Sequence, residues 1–338
     1  MPTVTDALNR TITVERRPRR IVSLVPSVTE SLAEMGCADS LVAVTTFCVR
    51  PKSVIAPLRK IGGTKTPDVK MITDLRPDLV IANKEENRSE DVEALIKAGL
   101  TVYVGYPRTA REAIDELDKL AVLATVAPGS AKVASTVRAA IDRQETLNTT
   151  RPRVRVFCPI WRNPYMAVGG ETFAGDLLRL AGGTNVFERH RSNGRYPQVT
   201  VEEIVTAAPD VVLLPSEPYR FNNRHRDELL ALHDIPAVSA EWVFLIDGQL
   251  VTWHGPRIGE ALREIEQLLD LARPDWEAPA EQSAAEPVRR SASRRGSAPA
   301  TKRLPPGRGK ATRPAPTDLP PGLRFNVETQ DVVDDSSP

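Results

Sequence analysis

Short apolar runs alternate with amphipathic helical segments along most of the chain, and one such unit occurs twice. Residues 76–82 read Arg-Pro-Asp followed by four apolar residues, and residues 208–214 read Ala-Pro-Asp followed by four more, 132 positions later. Each unit follows a short amphipathic helix, which ends there because proline disfavours the α-helical conformation in the residue before it. The apolar run after each Pro-Asp pair is typical of a β-strand buried on both faces.

A similar offset recurs upstream of these units. Two strand-like segments, Arg20–Leu24 and Arg153–Phe157, lie 133 residues apart. A single repeat at a constant offset indicates a duplicated lobe, because a solenoid would repeat every ~20–50 residues. Strands and helices alternate in both halves with the lengths of crossover connections, which predicts parallel sheets. The sequence therefore predicts an α/β fold of two parallel-sheet lobes with similar topology.

The segment between the two halves has a helical pattern. Ala131–Leu147 is rich in alanine and would form one helix of about 25 Å, which we interpret as the connection between the lobes. The predicted organisation is an N-terminal lobe at 1–127, an interlobe helix at 128–150 and a C-terminal lobe at 151–272. Residues 273–338 are rich in proline and arginine and cannot bury enough apolar area to offset about 1–2 kcal/mol of ordering per residue. We predict that they form a disordered tail.

Several local elements follow from the same patterns. Residues 3–19 alternate threonine with valine and isoleucine around an Asn-Arg pair, which predicts a short hairpin. Ser27 and Glu30 have the spacing of a capping box at the start of the next helix. Late in the second half, Ala237–Ser239 is predicted as a strand, followed by a closing helix at Arg257–Leu271.

Composition narrows the class of protein. Hydrophobic residues make up 41% of the 338 and charged residues 26%, as in ordinary globular proteins, and the net charge of +1 favours neither nucleic acid nor membranes. The three cysteines, Cys37, Cys48 and Cys158, are widely separated, which argues against a disulfide framework and a structural zinc site. No apolar run approaches the ~18 residues of a membrane span, and the first residues lack a signal sequence. We predict a cytoplasmic monomer without membrane insertion, the alternative being an extracytoplasmic protein whose start codon is misassigned.

Signatures of enzymes are absent from the sequence. It contains no nucleophile elbow, no phosphate-binding loop, no dinucleotide fingerprint and no His-Glu-x-x-His motif. Its four histidines do not have the spacing of metal ligands. We predict a protein that is not an enzyme and has no catalytic residues.

Aromatic and polar residues follow the predicted strands, where open parallel sheets bind ligands. Aromatic residues are only 5% of the chain, so their concentration at strand ends favours a large, flat ligand. The candidates for ligand contact are Ser27, Phe47, Asn83, Trp161, Arg162, Tyr165, Tyr196, Tyr219, Trp242 and Trp253.

Alternatives accompany several of these candidates. Phe47, Tyr165 and Trp253 would equally be ordinary core under loops, and the polar run 83–87 would be a solvated loop. His254 is a candidate metal ligand, and a hydrogen-bonded structural histidine is the alternative. Cys48 is a candidate for a soft metal ion, and a buried free cysteine is the alternative.

Four segments of the chain together resemble the vitamin B12 and ferric-siderophore binding proteins of ABC importers. They are residues 20–30, 76–82, 182–187 and 196–200, and the resemblance extends from about Thr5 to Leu271. It implies two α/β lobes joined by one long helix, with a corrinoid, haem or iron chelate held non-covalently in the cleft and no covalent cofactor. It also implies binding without catalysis.

The resemblance carries over to individual residues in part. Phe47 stands where the corrinoid binders have an aromatic residue after their second strand. Glu241 and Trp242 match an acid and an indole near the cleft floor, and Tyr196 matches the aromatic residue of a Pro-aromatic-Pro-Gln segment.

The family docks on its permease through one glutamate in each lobe. An ungapped alignment places Lys70 and Ala231 at these positions, with Asp68 and Glu228 nearby as substitutes. Together with the lack of a signal sequence, this departure argues for a cytoplasmic relative and makes an ABC permease a doubtful partner. The ligand that the resemblance implies is a corrinoid or a related metal chelate. The alternatives are a secreted importer component, and an enzyme or regulator on the same scaffold. The basic tail is a candidate for binding a polyanion or a protein partner, and a solvated linker is the alternative.

Overall fold

Two parallel β-sheets, one in each half of residues 1–278, dominate the fold of the computed structural model. The structure describes residues 1–125, 129–190, 194–232, 234–273, 275–276, 323–326 and 331–334. The chain separates into a unit at Met1–Ala278 and a second unit at Pro279–Pro338.

The first half follows the predicted alternation of strands and helices. In chain order its elements are β1 (Thr3–Thr5), β2 (Thr11–Thr13), β3 (Ile21–Ser23), α1 (Pro26–Glu34), a 3-10 turn (Ala38–Ser40), β4 (Leu41–Val44), α2 (Lys52–Ile55), β5 (Arg59–Lys60), α3 (Val69–Asp74), β6 (Leu79–Asn83), α4 (Ser89–Lys97), β7 (Val102–Gly105) and α5 (Ala110–Leu123). The strands β1 and β2 form the predicted hairpin, and the other five form a parallel sheet in the order β5-β4-β3-β6-β7.

The second half repeats this arrangement after a long helix. Its elements are α6 (Gly129–Leu147), β8 (Val154–Phe157), β9 (Pro159–Trp161), β10 (Tyr165–Ala167), α7 (Phe173–Leu180), β11 (Gly183–Asn185), β12 (Gln198–Val199), α8 (Val201–Ala207), β13 (Val211–Pro215), α9 (Asn223–Leu230), α10 (Pro236–Ser239), β14 (Val243–Ile246), α11 (Gln249–Thr252) and α12 (Ile258–Asp270). The parallel sheet has the order β11-β8-β13-β14, which matches β4-β3-β6-β7 of the first half. This confirms the predicted α/β fold of two similar lobes.

The aspartate of each repeated unit anchors the start of the neighbouring strand. The Asp78 carboxylate accepts hydrogen bonds from the backbone N–H groups of Arg19 (2.8 Å) and Arg20 (3.0 Å) ahead of β3. In the second lobe, the Asp210 carboxylate accepts one from the N–H of Arg155 (2.9 Å) in β8. Both aspartates are therefore structural residues at the amino edge of their sheets.

The residue before each proline in these units adopts the left-handed conformation. Arg76 has φ 47° and Ala208 has φ 41°. In both lobes this residue lies between the helix and the strand and turns the chain from one into the other.

The helix α6 lies between the two lobes in the chain and packs between α5 and α12. Its buried face carries Val137 and Ile141, each at most 1% exposed. The largest apolar cluster includes Leu117 of α5 and Ile265 of α12 and reaches both sheets. The predicted helix is confirmed, while the exact domain boundaries around it stay predictions.

Two predicted elements are wrong. Ala237–Ser239 belongs to the short helix α10, which begins at Pro236, and the strand comes later as β14. The capping box at Ser27 is absent, because α1 begins at Pro26 and its N-cap residue is Val25. Ser27 is therefore inside the helix, and its side chain is free to contact the other lobe. A small antiparallel sheet of β9, β10 and β12 was not predicted.

Most of the predicted disordered tail lies outside the described residues. Near its start, the Arg273 guanidinium donates to the carbonyl of Pro152 (2.8 Å), and Trp276 lies against the Arg151 guanidinium (5.7 Å), so Arg273 and Trp276 both contact the start of the second lobe. In the second unit the described residues form two paired antiparallel strands, β15 (Leu323–Asn326) and β16 (Asp331–Asp334).

Candidate ligand-binding cleft

The carboxyl ends of the strands in the two lobes face each other. Past β4, the Arg50 Nε donates to the Gln249 side chain past β14 (2.7 Å). Past β6, the Glu85 carboxylate lies 3.0 Å from the Arg195 guanidinium, which precedes β12. The cleft between the lobes is therefore lined by the loops at the carboxyl edges of both sheets, the edge where open parallel sheets bind ligands.

The structure brings together four predicted residues of the second lobe. Trp161 and Tyr219 pack edge to face with ring centroids 5.4 Å apart. The Arg162 guanidinium forms an ion pair with Glu228 (2.5 Å), which together with Tyr165 and Tyr219 raises the pKa of Arg162 against the opposing effect of burial. Trp161, Tyr165 and Tyr219 are half-buried, so each has ring surface left to contact a ligand.

Two residues that support this aromatic group were not predicted. Phe221 packs against Tyr219 at a centroid distance of 4.8 Å. The His225 Nδ1 accepts from the backbone N–H of Asn222 (3.1 Å), so its Nε2 carries the proton and donates to the Tyr219 hydroxyl (3.1 Å). The sequence did contain a signal for His225. Asn222 is an N-cap residue, and His225 lies three residues later in the first turn of α9, where its side chain can reach back to the N-cap.

Phe47 is the exposed aromatic residue of the first lobe. Its ring is 59% exposed at the carboxyl end of β4, which is unusual for phenylalanine. Five residues of the first lobe and Gln249 of the second line a cavity of about 430 Å³, and Phe47 is not among them. Phe47 is thus exposed surface rather than core.

Ser27, Trp253 and His254 lie buried at the contact between the lobes. The Ser27 hydroxyl is 3.3 Å from the His254 Nε2, and the Trp253 indole N–H donates to the Glu217 carboxylate (2.7 Å). Within the described part of the chain, no three His, Cys, Asp or Glu side chains converge in a way that suits a metal ion. This arrangement favours the structural alternative for His254.

Acidification is expected to destabilise the protein through His254. Burial lowers the pKa of His254 to about 4, from 6.5 for an exposed imidazole. The unfolded chain then binds more protons than the folded one between about pH 4 and 6.5, so the stability that depends on the neutral ring is lost as the pH falls through that window. From pH 7 to 5 the loss is about 2 kcal/mol. Denaturant unfolding of the wild type and His254→Gln across this range measures it. Parallel pH profiles for the two proteins would contradict the prediction.

The polar run 83–87 forms a tight turn at the end of β6. The Asn83 side chain accepts from the N–H of Glu85 (2.7 Å), and the Asn87 side chain accepts from the N–H of Asn83 (2.8 Å). Both asparagines are at most 5% exposed, so they shape the turn, while Glu85 and Glu86 are half-buried. Burial and the carboxylates of Glu85 and Glu217 raise the pKa of Glu86 to about 8.

Glu85 connects the two lobes at one end of the cleft. Its carboxylate accepts from the Arg195 guanidinium and from the Tyr196 hydroxyl of the second lobe. The guanidinium also lies over the Tyr106 ring of the first lobe (5.1 Å). Tyr106, Arg195 and Glu217 were not predicted. The repeat contained a signal for Glu217, because it lies 132 residues after Glu85.

Cys48 is completely buried. Its sulfur lies 3.2 Å from the hydroxyls of Thr29 and Thr45. Burial raises the pKa of the Cys48 thiol, which favours the protonated form over the thiolate that binds metals. These contacts favour the alternative of a structural cysteine.

Glu241 and Trp242 lie at the opposite edge of the sheet. They follow α10 and precede β14, and the Trp242 carbonyl accepts from the N–H of Val212 at the start of β13 (3.0 Å). The strand predicted at Ala237–Ser239 supported only Trp242, and the resemblance implied both Glu241 and Trp242, so their contact with a ligand stays a prediction. An indole that precedes a strand is at the amino edge of a parallel sheet.

The internal repeat changes which residues correspond between the lobes. The helices α3 and α8 are equivalent, so Lys70 in α3 corresponds to Glu202 in α8, 132 residues later, and not to Ala231 after α9. Glu202 is exposed, and hydrogen bonds from its own backbone N–H and the Thr200 hydroxyl lower its pKa. The expected docking position in the second lobe therefore carries an acid.

A family model described as periplasmic binding protein matches residues 21–250 of this chain. The chain belongs to the periplasmic binding protein family. The match includes both sheets and the helix α6 between them. Its members bind solutes, and this chain is a binding protein rather than an enzyme.

Relatives with curated descriptions are similar over most of their length. The vitamin B12-binding protein of Vibrio parahaemolyticus is 26% identical over 260 residues, which cover 75% of this chain and 90% of the relative. An uncharacterized ABC transporter substrate-binding lipoprotein, YvrC of Bacillus subtilis, is 28% identical over 274 residues, which cover 78% of this chain and 83% of the relative.

Solved structures with the same fold include binders of different ligands. The periplasmic vitamin B12 binding protein BtuF of Vibrio cholerae has a TM-score of 0.66 and 24% identity, covering 76% of this chain and 98% of its own. The periplasmic heme-binding protein RhuT of a Roseiflexus species has a TM-score of 0.65 and 22% identity, covering 75% and 98%. These similarities establish the two-lobed fold.

The expectation of a cytoplasmic protein is not supported by these relatives. They are described as periplasmic or as a lipoprotein, which favours the extracytoplasmic alternative. Among the residues that the structure describes, none of the helices has the length and hydropathy needed to cross a membrane.

Proposed function

We propose that the chain is the substrate-binding component of an ABC importer and holds a corrinoid, or a related metal chelate, between its lobes. The observation that carries this proposal is the half-buried aromatic group of Trp161, Tyr165 and Tyr219 at the carboxyl edge of the second sheet. Flat rings with free surface suit a large macrocycle. Across the cleft, the exposed ring of Phe47 adds an aromatic surface from the first lobe.

The descriptions of the relatives support the same class of ligand. Binders of vitamin B12 and of haem share the two-lobed fold, and a relative of similar length is described as an ABC transporter lipoprotein. We infer an extracytoplasmic location, in place of the cytoplasmic one expected from the sequence. The ligand would be bound non-covalently, as cargo, and released unchanged.

Partner recognition is the second part of the proposal. The resemblance implies docking on a permease through one acid in each lobe, and Glu202 fits that role in the second lobe. In the first lobe the equivalent Lys70 pairs with Asp74 (2.7 Å), which leaves Asp68 as the nearest acid. Glu228 is occupied by Arg162 and Arg224 and does not fit.

Ligand titration tests the proposal. Isothermal titration of the full chain with cyanocobalamin, dicyanocobinamide, haemin and a ferric hydroxamate siderophore is expected to give saturable one-to-one binding with at least one of them. A change in the visible spectrum of the same ligand provides an independent signal. Absence of heat and of spectral change with all four ligands would exclude the proposed function.

A further inference from the structure

We propose that Glu85, Arg195 and Tyr196 form a latch that holds the two lobes together across the cleft and that opens before a ligand enters. This proposal rests on the proposed function only for the identity of the ligand, since the latch itself is a contact within the chain. It assigns to Glu85 a regulatory role instead of direct ligand binding.

The contact joins two loops that are distant in the sequence. Glu85 lies in the turn after β6, and Arg195 and Tyr196 lie just before β12. One carboxylate oxygen accepts from the guanidinium (3.0 Å) and the other accepts from the phenol. Burial and the Glu85 carboxylate raise the pKa of Tyr196, so its hydroxyl keeps the proton that it donates. Hydrogen bonds to a charged acceptor are about twice as strong as neutral ones.

Both sides of the latch are held in place by their own lobes. On the first side, the Glu85 N–H donates to Asn83 (2.7 Å), and its carbonyl accepts from the Lys65 ammonium (2.9 Å). On the second side, the Arg195 carbonyl accepts from the N–H of Gly169 (2.8 Å). These backbone contacts fix both loops, so forming the latch mainly orders the side chains of Glu85 and Arg195.

The surroundings of Arg195 strengthen the contact. The guanidinium lies over the rings of Tyr106 (5.1 Å) and Tyr196 (5.5 Å), one from each lobe. Its side chain is 25% exposed and that of Glu85 is 31% exposed, so solvent screens the pair only in part. Opening the cleft at this end separates the ion pair, the phenol contact and the ring contact together.

The latch sets how often the cleft is open. If a ligand binds only the open form, its apparent affinity is the intrinsic affinity multiplied by the fraction of molecules that are open. Removing the Glu85 charge is expected to raise the open fraction, and with it the association rate, by about fivefold.

Distance measurements between the lobes test the latch without a ligand. Spin labels at Glu90→Cys and Glu171→Cys report the separation of the lobes in the full chain, because the three native cysteines are buried. Glu85→Gln and Arg195→Gln are each expected to shift the distance distribution to longer values, and the double variant to shift it no further than either one. Asp91→Asn is the control, because its ion pair with Arg88 (3.1 Å) stays within the first lobe. Thermal unfolding confirms that each variant is folded.

Two results would overturn the proposal. The first is a double variant whose distance distribution equals that of the wild type. The second is a shift in the Asp91→Asn control as large as that in Glu85→Gln. Stopped-flow mixing with cyanocobalamin measures the association rate for each variant. If no ligand binds, the proposed function is wrong, but the distances between the spin labels still test the latch.

Discussion

Replacing Arg151 by methionine is expected to lower the free energy of unfolding by about 3–4 kcal/mol, because it breaks a buried ion pair. The Arg151 side chain is 0% exposed and forms an ion pair with Glu266 of α12 (2.8 Å). It also donates to Gln144 of α6 (2.7 Å) and to the carbonyl of Leu180 (3.1 Å). Methionine fills a similar volume but leaves a carboxylate oxygen and three other acceptors, the Asn148 side chain among them, without this donor.

An exposed arginine that also contacts α6 provides the control. Arg111 contacts Asp142 (2.6 Å) and Glu145 (2.5 Å) of α6, but its side chain is 45% exposed. Exposed pairs contribute about 0–1 kcal/mol, so Arg111→Met is expected to have a small effect. Urea unfolding followed by circular dichroism measures both variants. Equal losses would show that burial does not decide the strength of these contacts.

Replacing Trp161 by alanine is expected to weaken cyanocobalamin binding by about 10- to 30-fold, a loss of about 1.4–2 kcal/mol. Trp161 supports Tyr219 and presents ring surface to the cleft, so alanine removes both contacts. The matched control is Trp242→Ala, whose indole lies at the amino edge of the sheet, and it is expected to keep the affinity of the wild type. Isothermal titration of the two variants decides between the two placements. A larger loss for Trp242→Ala would reverse the assignment of the cleft.

The fold was predictable because the repeated units are local and strongly patterned. The buried runs after Asp78 and Asp210 are bounded by proline, and the constant offset identifies two lobes. Short apolar segments were harder to assign. Ala237–Ser239 has the composition of a strand but belongs to a helix that begins at Pro236. Periodicity cannot separate a helix from a strand over so few residues.

The candidate site was predictable only in part. Residues that follow a strand directly, such as Phe47 and Trp161, were found from the order of elements along the chain. The contact between Glu85 and Arg195 joins loops 110 residues apart, and no local pattern records that two loops will meet. The contact between Ser27 and His254 is of the same kind, since the two residues come from different lobes.

The repeated aspartate anchors have a consequence for how this chain can diverge. Asp78 and Asp210 fix the amino ends of the strands, far from the loops that line the cleft. Substitutions in those loops therefore change what the cleft accepts without disturbing strand order. Selection for a new ligand and selection for folding then act on separate residues, so descendants of such a scaffold are free to change what they bind while the architecture persists.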